Sequence, residues 1–349
     1  MQDKIIRKVE HDRWISRDEY LTILRTQSYV ELVPLLEVIS DRQKSANRQI
    51  KLTSTIHLTN LCHVTPKCAY CGFAVGTSPA GYYTGFHKTD DEIKTIARKI
   101  EESGIPRVSC SGAHGYQGEQ AVTAAKIVKE TTSLELLVNV GSDLTASSLK
   151  KIAAYGTDTV CCNLETINEP LFNRLKPGEQ LQDRISTCKK TEEAGVELSS
   201  GLLIGIGESW EDRLDHLKFL KKFKNLGEIP LMGFNPYPGT PMASHPPCSL
   251  QEQIKTILVT RIMYPDIRIT VPTPTIGPQN IRYSLQAGAD NIATVIPENY
   301  PADIKGVGSP VYANLTDVLE TIASAGLEPQ WNPNYPRRTG KTIPGILIK

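Results

Sequence analysis

The sequence predicts an α/β protein built as a complete (β/α)8 barrel of the TIM type. It assigns 1–50 to an N-terminal helical extension and 51–349 to a single barrel domain with an irregular C-terminal tail. Two observations carry this. A unit recurs along the chain: a short apolar or β-branched run, a loop, an amphipathic helical pattern and a glycine. Eight such runs occur, and each of the first seven is followed by a helical pattern. Strict alternation implies a parallel sheet with right-handed crossovers, and eight units suggest closure into a barrel rather than an open sheet. No linker or low-complexity tract marks a second domain.

The extension comes first. Ser16 with Glu19 forms a capping box before "YLTIL", and "YVELVPLLEVISDRQK" continues at helical period with Pro34 as a kink or a new first turn. "STIHLT" (Ser54–Thr59) is the first strand. "PRVSCSG" then precedes "EQAVTAAKIVKE", "LELLVNVG" precedes "TASSLKKIAAYG", and "TDTVCCNLET" precedes "EQLQDRISTCKKTEEAG". "VELSSGLLIGIG" leads into "SWEDRLDHLKFLKKF", "EIPLMGFNPYP" into "SLQEQIKTILVTRIMY", and "DIRITVP" into "PQNIRYSLQAG"; "ADNIATVI" is the eighth run. Thr89–Glu92 and Ser249–Glu252 read as capping boxes. Gly104, Gly156, Gly195, Gly227 and Gly288 are expected just past helix ends, in the left-handed conformation.

Composition bounds the function. Lys+Arg number 39 against 38 Asp+Glu, which gives no electrostatic footprint for nucleic acid or an anionic membrane. No apolar run approaches the ~20 residues of a membrane span. The start "MQDKIIRKVEHDRW" lacks the apolar core of a secretory signal, so the reading is a soluble, cytoplasmic chain. The eight cysteines are Cys62, Cys68, Cys71, Cys110, Cys161, Cys162, Cys188 and Cys248. In a large cytosolic chain a cysteine cluster points to metal or redox chemistry, and scattered cysteines are expected as packing.

In such barrels the chemistry sits at the C-terminal ends of the strands. "TNLCHVTPKCAYCGF" follows the first strand and spaces three cysteines as C-x5-C-x2-C. Thiolates favour zinc, copper(I) or iron–sulfur clusters. Structural zinc would need a fourth ligand, for which the neighbouring His63 is awkwardly placed. A 4Fe–4S cluster held by three cysteines leaves one iron open to a ligand. At the same level lie Ser111, Gly112 and His114, Asn139 to Asp143, Asn163, Glu165, Gly205 to Glu208, and Asn235. His114 reads as a solvated loop histidine, and Cys161 and Cys162 as core thiols.

With an aromatic, Tyr70, before the third cysteine, this strand-and-loop resembles the radical S-adenosylmethionine (SAM) superfamily, whose usual spacing is C-x3-C-x2-C. The resemblance implies that Cys62, Cys68 and Cys71 hold a 4Fe–4S cluster whose open iron chelates SAM. One-electron cleavage would yield a 5′-deoxyadenosyl radical that abstracts hydrogen from a small-molecule substrate. It also implies an external flavodoxin- or ferredoxin-like electron donor, with no nucleic-acid or membrane partner. "CNLETINEPLFNRLKPGEQLQDRISTCKKTEEAGVELSSGLLIGIGES" resembles the biotin-synthase-like subgroup. This implies a contact of Glu165 with the SAM ammonium or ribose and of Arg184 with its carboxylate. The Leu203 and Ile206 backbone, and that of Tyr70, would lie near adenine, with Gly201 and Gly205 as glycines that let a flat ring approach. Ser111, Gly112, Asn139 and Asn163 are expected at the cofactor, and Cys110 and Asn235 at the substrate. No catalytic residue is assigned.

Departures from the subgroup narrow the reading. Its Gly-Gly-Glu is here "CSGAHG", with Ala113 in place of the carboxylate. Ser199 stands where a cysteine of the second cluster of biotin synthase belongs, so biotin synthesis is not expected. The five-residue gap resembles the HmdB-type proteins, which implies radical assembly of the guanylylpyridinol cofactor of the mono-iron (Fe-type) hydrogenase. Hydrogenase maturation, a carbon-skeleton mutase reaction and a non-enzymatic zinc-stabilised barrel are the alternatives.

Overall fold

The computed structural model describes residues 2–74, 85–297 and 313–335. Three helices open it: α1 (Gln2–Glu10), α2 (Arg17–Arg25) and α3 (Val33–Ser45). The box before α2 is closed at both ends, Ser16 Oγ accepting from the Glu19 amide and the Glu19 carboxylate from the Ser16 amide. Pro34 lies in the first turn of α3, where its missing N–H costs nothing.

The barrel follows as β1 (Gln49–His57), α4 (Asp90–Glu102), β2 (Arg107–Ser111), α5 (Glu119–Thr131), β3 (Glu135–Asn139), α6 (Ala146–Ala154) and β4 (Thr159–Cys161). Then come α7 (Glu169–Leu175), α8 (Leu181–Glu193), β5 (Glu197–Ser199), β6 (Leu202–Ile204), α9 (Trp210–Leu220), β7 (Leu226–Gly233) and α10 (Leu250–Met263). The last elements are β8 (Arg268–Pro272), α11 (Thr273–Ile276), α12 (Ile281–Gln286), β9 (Asn291–Ala293), β10 (Val295–Ile296), β11 (Ala313–Asn314), α13 (Leu315–Ser324) and β12 (Glu328–Pro329). Every strand pair is parallel, and β1 bonds both β2 and β9, which closes the wall. With β5 and β6 counted as one interrupted strand, the wall has eight positions.

The interruption has a local cause. A Cβ at Gly201, between β5 and β6, would lie 1.8 Å from the Pro230 carbonyl oxygen. The glycine therefore allows the close approach of a neighbouring strand. Gly227 is likewise not a helix cap: it lies inside β7. Gly104, Gly156, Gly195 and Gly288 have the expected positive φ. The helix α7 and the pair α13 and β12 lie in segments read as loop or irregular tail; α13 completes the eighth β/α unit. The end of the tail lies outside the described residues.

Register sorts the wall into two faces. Ile56, Cys110 and Val138 are paired partners, each 0 % exposed, in the apolar shell between wall and helices. Their neighbours Ser109, Leu137 and Thr159 point the other way, into the lumen. Toward the N-terminal ends of the strands this inner row becomes ionic. Arg107 and Glu228 meet at 2.6 Å with side chains 0 % and 2 % exposed. Arg268 bonds Glu197 at 2.8 Å and Glu228 at 3.3 Å, and Lys51 meets Glu135 at 2.6 Å. Burial pushes the Glu228 carboxyl up, but Arg107 and Arg268 outweigh it and hold it down at about 2. This layer is the floor of the lumen. Among the described residues no helix is long and apolar enough to cross a membrane.

Candidate functional site

The three-cysteine loop leaves the C-terminal end of β1 and crosses the opposite end of the barrel. It is tied down along its length. The His63 amide donates to the His114 carbonyl at 2.8 Å, the Ala69 amide to that of Leu175 at 2.7 Å, and the Met242 amide to that of Ala69 at 3.2 Å. The five-residue gap rests on the turn after α7: a Cβ at Gly178 would lie 2.3 Å from the Pro66 carbonyl oxygen. At the far end Gly72 lies under Tyr237, whose ring carbon a Cβ would meet at 2.2 Å.

Cys62, Cys68 and Cys71 are free thiols, all partly buried. Burial raises the Cys68 and Cys71 thiols, and a neighbouring cysteine adds a smaller push in the same direction, Cys71 on Cys68 and Cys62 on Cys71. N–H donors already address them: the Ala74 amide lies 3.4 Å from Cys71 Sγ and Lys176 Nζ 3.5 Å from Cys68 Sγ. Such donors are what a cluster's sulfur ligands take from the protein. His63 is not a fourth ligand, because its ring stacks outside on Tyr116 at 4.4 Å. Among the described residues no group of three or more His, Cys, Asp or Glu is gathered so as to hold a metal ion. Three free thiols with N–H donors at two of them are a donor set that fits a cluster with an open corner.

Beside the sulfurs lies a buried charge network. Arg184 Nε reaches Glu179 Oε2 at 2.7 Å, and Ser142 Oγ donates to the same oxygen at 3.0 Å. His114 Nδ1 lies 3.2 Å from Glu179 Oε1. Burial opposes the charge on Glu179, but His114, Lys176 and Arg184 win and keep it ionised far below the usual range. His114 is thus bonded to a buried carboxylate rather than solvated. The carboxylate expected at Arg184 is that of SAM; in this structure its guanidinium is paired with Glu179 instead.

Glu165 has φ 64°, a left-handed conformation held by backbone bonds to Gly201 and Leu203. Its Oε1 accepts from the Tyr70 hydroxyl at 3.1 Å, while Oε2 is buried with no partner. A buried carboxylate oxygen with no partner among the described residues can accept from either group expected there, an ammonium or a ribose hydroxyl.

The remaining expected residues divide. His57, Ser111 and Asn139 form one register row at the mouth. Gly112 donates its amide to the Asn139 carbonyl at 3.0 Å. Asn163 Oδ1 accepts from the Gly201 amide at 3.0 Å, and Asn235 Nδ2 donates to the Pro274 carbonyl at 3.1 Å. The Leu203 amide is taken by the Glu165 carbonyl and the Ile206 amide by Glu208, so only their carbonyls remain for adenine. Cys110 is a correction: strand alternation turns it to the helix shell, away from any substrate in the lumen. Cys162 also faces that shell, its thiol against the Arg184 carbonyl at 3.6 Å; Cys161 is turned to the lumen beside Ser199. Lys176 and Glu179 escaped the sequence reading. The signal was two charged residues flanking Pro177 and Gly178 in a turn that ends five residues before Arg184.

Comparison with known proteins agrees with this geometry. Residues 56–220 match the family described as Radical SAM superfamily, and 230–296 the Biotin and Thiamin Synthesis associated domain. An uncharacterized protein of Methanocaldococcus jannaschii is 55 % identical over 331 residues, 94 % of this chain and 88 % of that one. Biotin synthase of Clostridium acetobutylicum is 30 % identical over 184 residues, 51 % of this chain, which spans 55 % of that enzyme. The crystal structure of methylornithine synthase (PylB) superposes with a TM-score of 0.83 over 95 % of this chain and 98 % of that one, at 20 % identity, a likeness of fold.

Proposed function

We propose that the chain is a radical SAM enzyme of the biotin-synthase-like subgroup and that it acts as HmdB-type proteins are implicated to act, in building the pyridinol of the mono-iron hydrogenase cofactor. It is an enzyme, and its cofactors are a 4Fe–4S cluster and SAM. When bound, they supply a one-electron cleavage whose carbon radical takes a hydrogen atom from a small molecule. In this reading Cys62, Cys68 and Cys71 hold the cluster, and Glu165 receives the SAM ammonium on its orphaned oxygen. Tyr70 orients Glu165 through its hydroxyl, and Arg184 keeps Glu179 and the Asn163 carbonyl in place beneath. The loop and β6 keep water from the reacting atoms. A flavodoxin- or ferredoxin-like protein delivers the electron.

The observation that carries the narrower reading is the C-x5-C-x2-C spacing, with its long gap packed on the Gly178 turn. It supports one branch of the subgroup. Second-cluster chemistry of the biotin-synthase kind finds less support, since Ser199 stands at the position expected for a cysteine and Cys110 faces the shell.

Anaerobically reconstituted protein should be reduced with SAM and deuterated pyridine or pyridinol precursors. Deuterium in the 5′-deoxyadenosine, with a matching mass change in the precursor, is expected. SAM cleavage without transfer from any such precursor overturns the pyridinol reading and leaves the family assignment intact. Cys68→Ala should abolish both the cluster absorption and 5′-deoxyadenosine.

A further inference from the structure

The mechanism above gives one buried cation, a partner in keeping Glu179 ionised, no role toward the cluster. Lys176 lies in the turn after α7, 3 % exposed, and its ammonium is surrounded by the site. It stands 3.5 Å from Cys68 Sγ, 3.7 Å from Glu179 Oε1 and 3.9 Å from Glu165 Oε1, and 5.3 Å above the Tyr70 ring. Both carboxylate distances exceed hydrogen-bond length, whereas the sulfur contact is within reach of an N–H···S bond. Glu179 is already matched by Arg184 at 2.6 Å. The ammonium therefore shares in balancing both carboxylates, while its one contact of hydrogen-bond length is to the Cys68 sulfur, which itself lies 3.9 Å from Glu179 Oε1.

We infer that Lys176 is the residue that sets the reduction potential of the iron–sulfur cluster, by donating an N–H to the Cys68 sulfur and placing a buried positive charge beside it. This rests on the assignment of Cys68 as a cluster ligand. Reduction adds one electron from the external donor to the cluster and breaks no bond; the added negative charge is what a nearby cation stabilises. Hydrogen bonds to the ligating sulfurs and net local charge are the protein's levers on such potentials. Because Lys176 is buried, its charge acts at a lower effective dielectric than at the surface and is screened less by salt. The geometry also explains why the residue is held so tightly: Gly178, two positions on, lies against the Pro66 carbonyl, so the cysteine loop and the lysine move as one piece.

The test uses the full-length protein reconstituted with iron and sulfide, without SAM. Lys176→Met keeps the length and apolar stem and removes the charge; Lys176→Arg keeps the charge. Potentiometric titration followed by electron paramagnetic resonance reads the midpoint, independently of turnover. Lys176→Met should bind the same iron and sulfide and show a more negative midpoint. The reduced-to-oxidised ratio at the wild-type midpoint should fall about tenfold, about 59 mV for one electron. Lys176→Arg should restore most of the shift. An unchanged or more positive midpoint in Lys176→Met overturns the proposal, and so does loss of the cluster from both variants, which would make Lys176 a structural residue. If wild type takes up no cluster, the assignment of the cysteines fails instead.

Discussion

Glu165 combines two conditions that residues seldom combine without reason: a left-handed backbone and a buried, half-unmatched carboxylate. A non-glycine residue at φ 64° costs on the order of 1–2 kcal/mol, and an unsatisfied buried oxygen adds on the order of 1–3 kcal/mol. A group that supplies the missing donor recovers the second part. Glu165→Gln keeps the shape and removes the charge. Cluster content should stay the same while SAM affinity falls about 10- to 100-fold, the worth of a charged hydrogen bond. Equilibrium dialysis with labelled SAM measures this, and unchanged affinity would remove Glu165 from the contact. The glutamate itself was legible from its "LET" context. Its orphaned oxygen was not, because that depends on Tyr70 and Lys176 arriving from other parts of the chain.

At the scale of elements, the cysteine loop is placed by the turn after α7 rather than by its own sequence. The contact of Gly178 with Pro66 leaves no room for a methyl group. Gly178→Ala should push the C-x5-C segment outward at a cost of about 1–3 kcal/mol of overpacking. The expected result is a fall in reconstituted iron with little change in far-ultraviolet circular dichroism; full iron content would show that the loop adapts. Strand and helix order could be read from periodicity and capping boxes because those signals are local. The short helix α7 could not, since "EPLFNRL" offers only two turns of pattern. The break between β5 and β6 was hidden for another reason: it is caused by Pro230 on the neighbouring strand. Cys110 shows the same limit. A cysteine at a strand end can face either way, and only the register with Ile56 and Val138 decides.

For the whole molecule, stability is bound up with charges and rings that the shell encloses. His216 on α9 is 1 % exposed, both ring nitrogens lack partners, and burial pushes it down to about 3 from 6.5. The unfolded chain therefore binds a proton that the folded chain refuses. Stability is full above pH 6.5 and is lost as pH falls toward 3, by up to about 1.4 kcal/mol per pH unit. Urea midpoints at several pH values measure that slope, and His216→Leu should flatten it; an equal slope in the variant would exclude His216 as its source. In the floor, Glu228→Gln strands the fully buried Arg107 and should cost about 3–5 kcal/mol. Thermal unfolding with the cluster absent reads this directly, and a loss under 1 kcal/mol would mean that Glu197 takes over.

That same ionic floor decides the traffic through the enzyme. With Arg107 and Glu228 locked dry across one end, the lumen is a cul-de-sac. In the proposed reaction, substrate would then enter and product leave at the rim that also carries the cysteine loop. Arrival, departure and refuelling would then share that rim, so a product slow to leave would also delay the next charge of the enzyme.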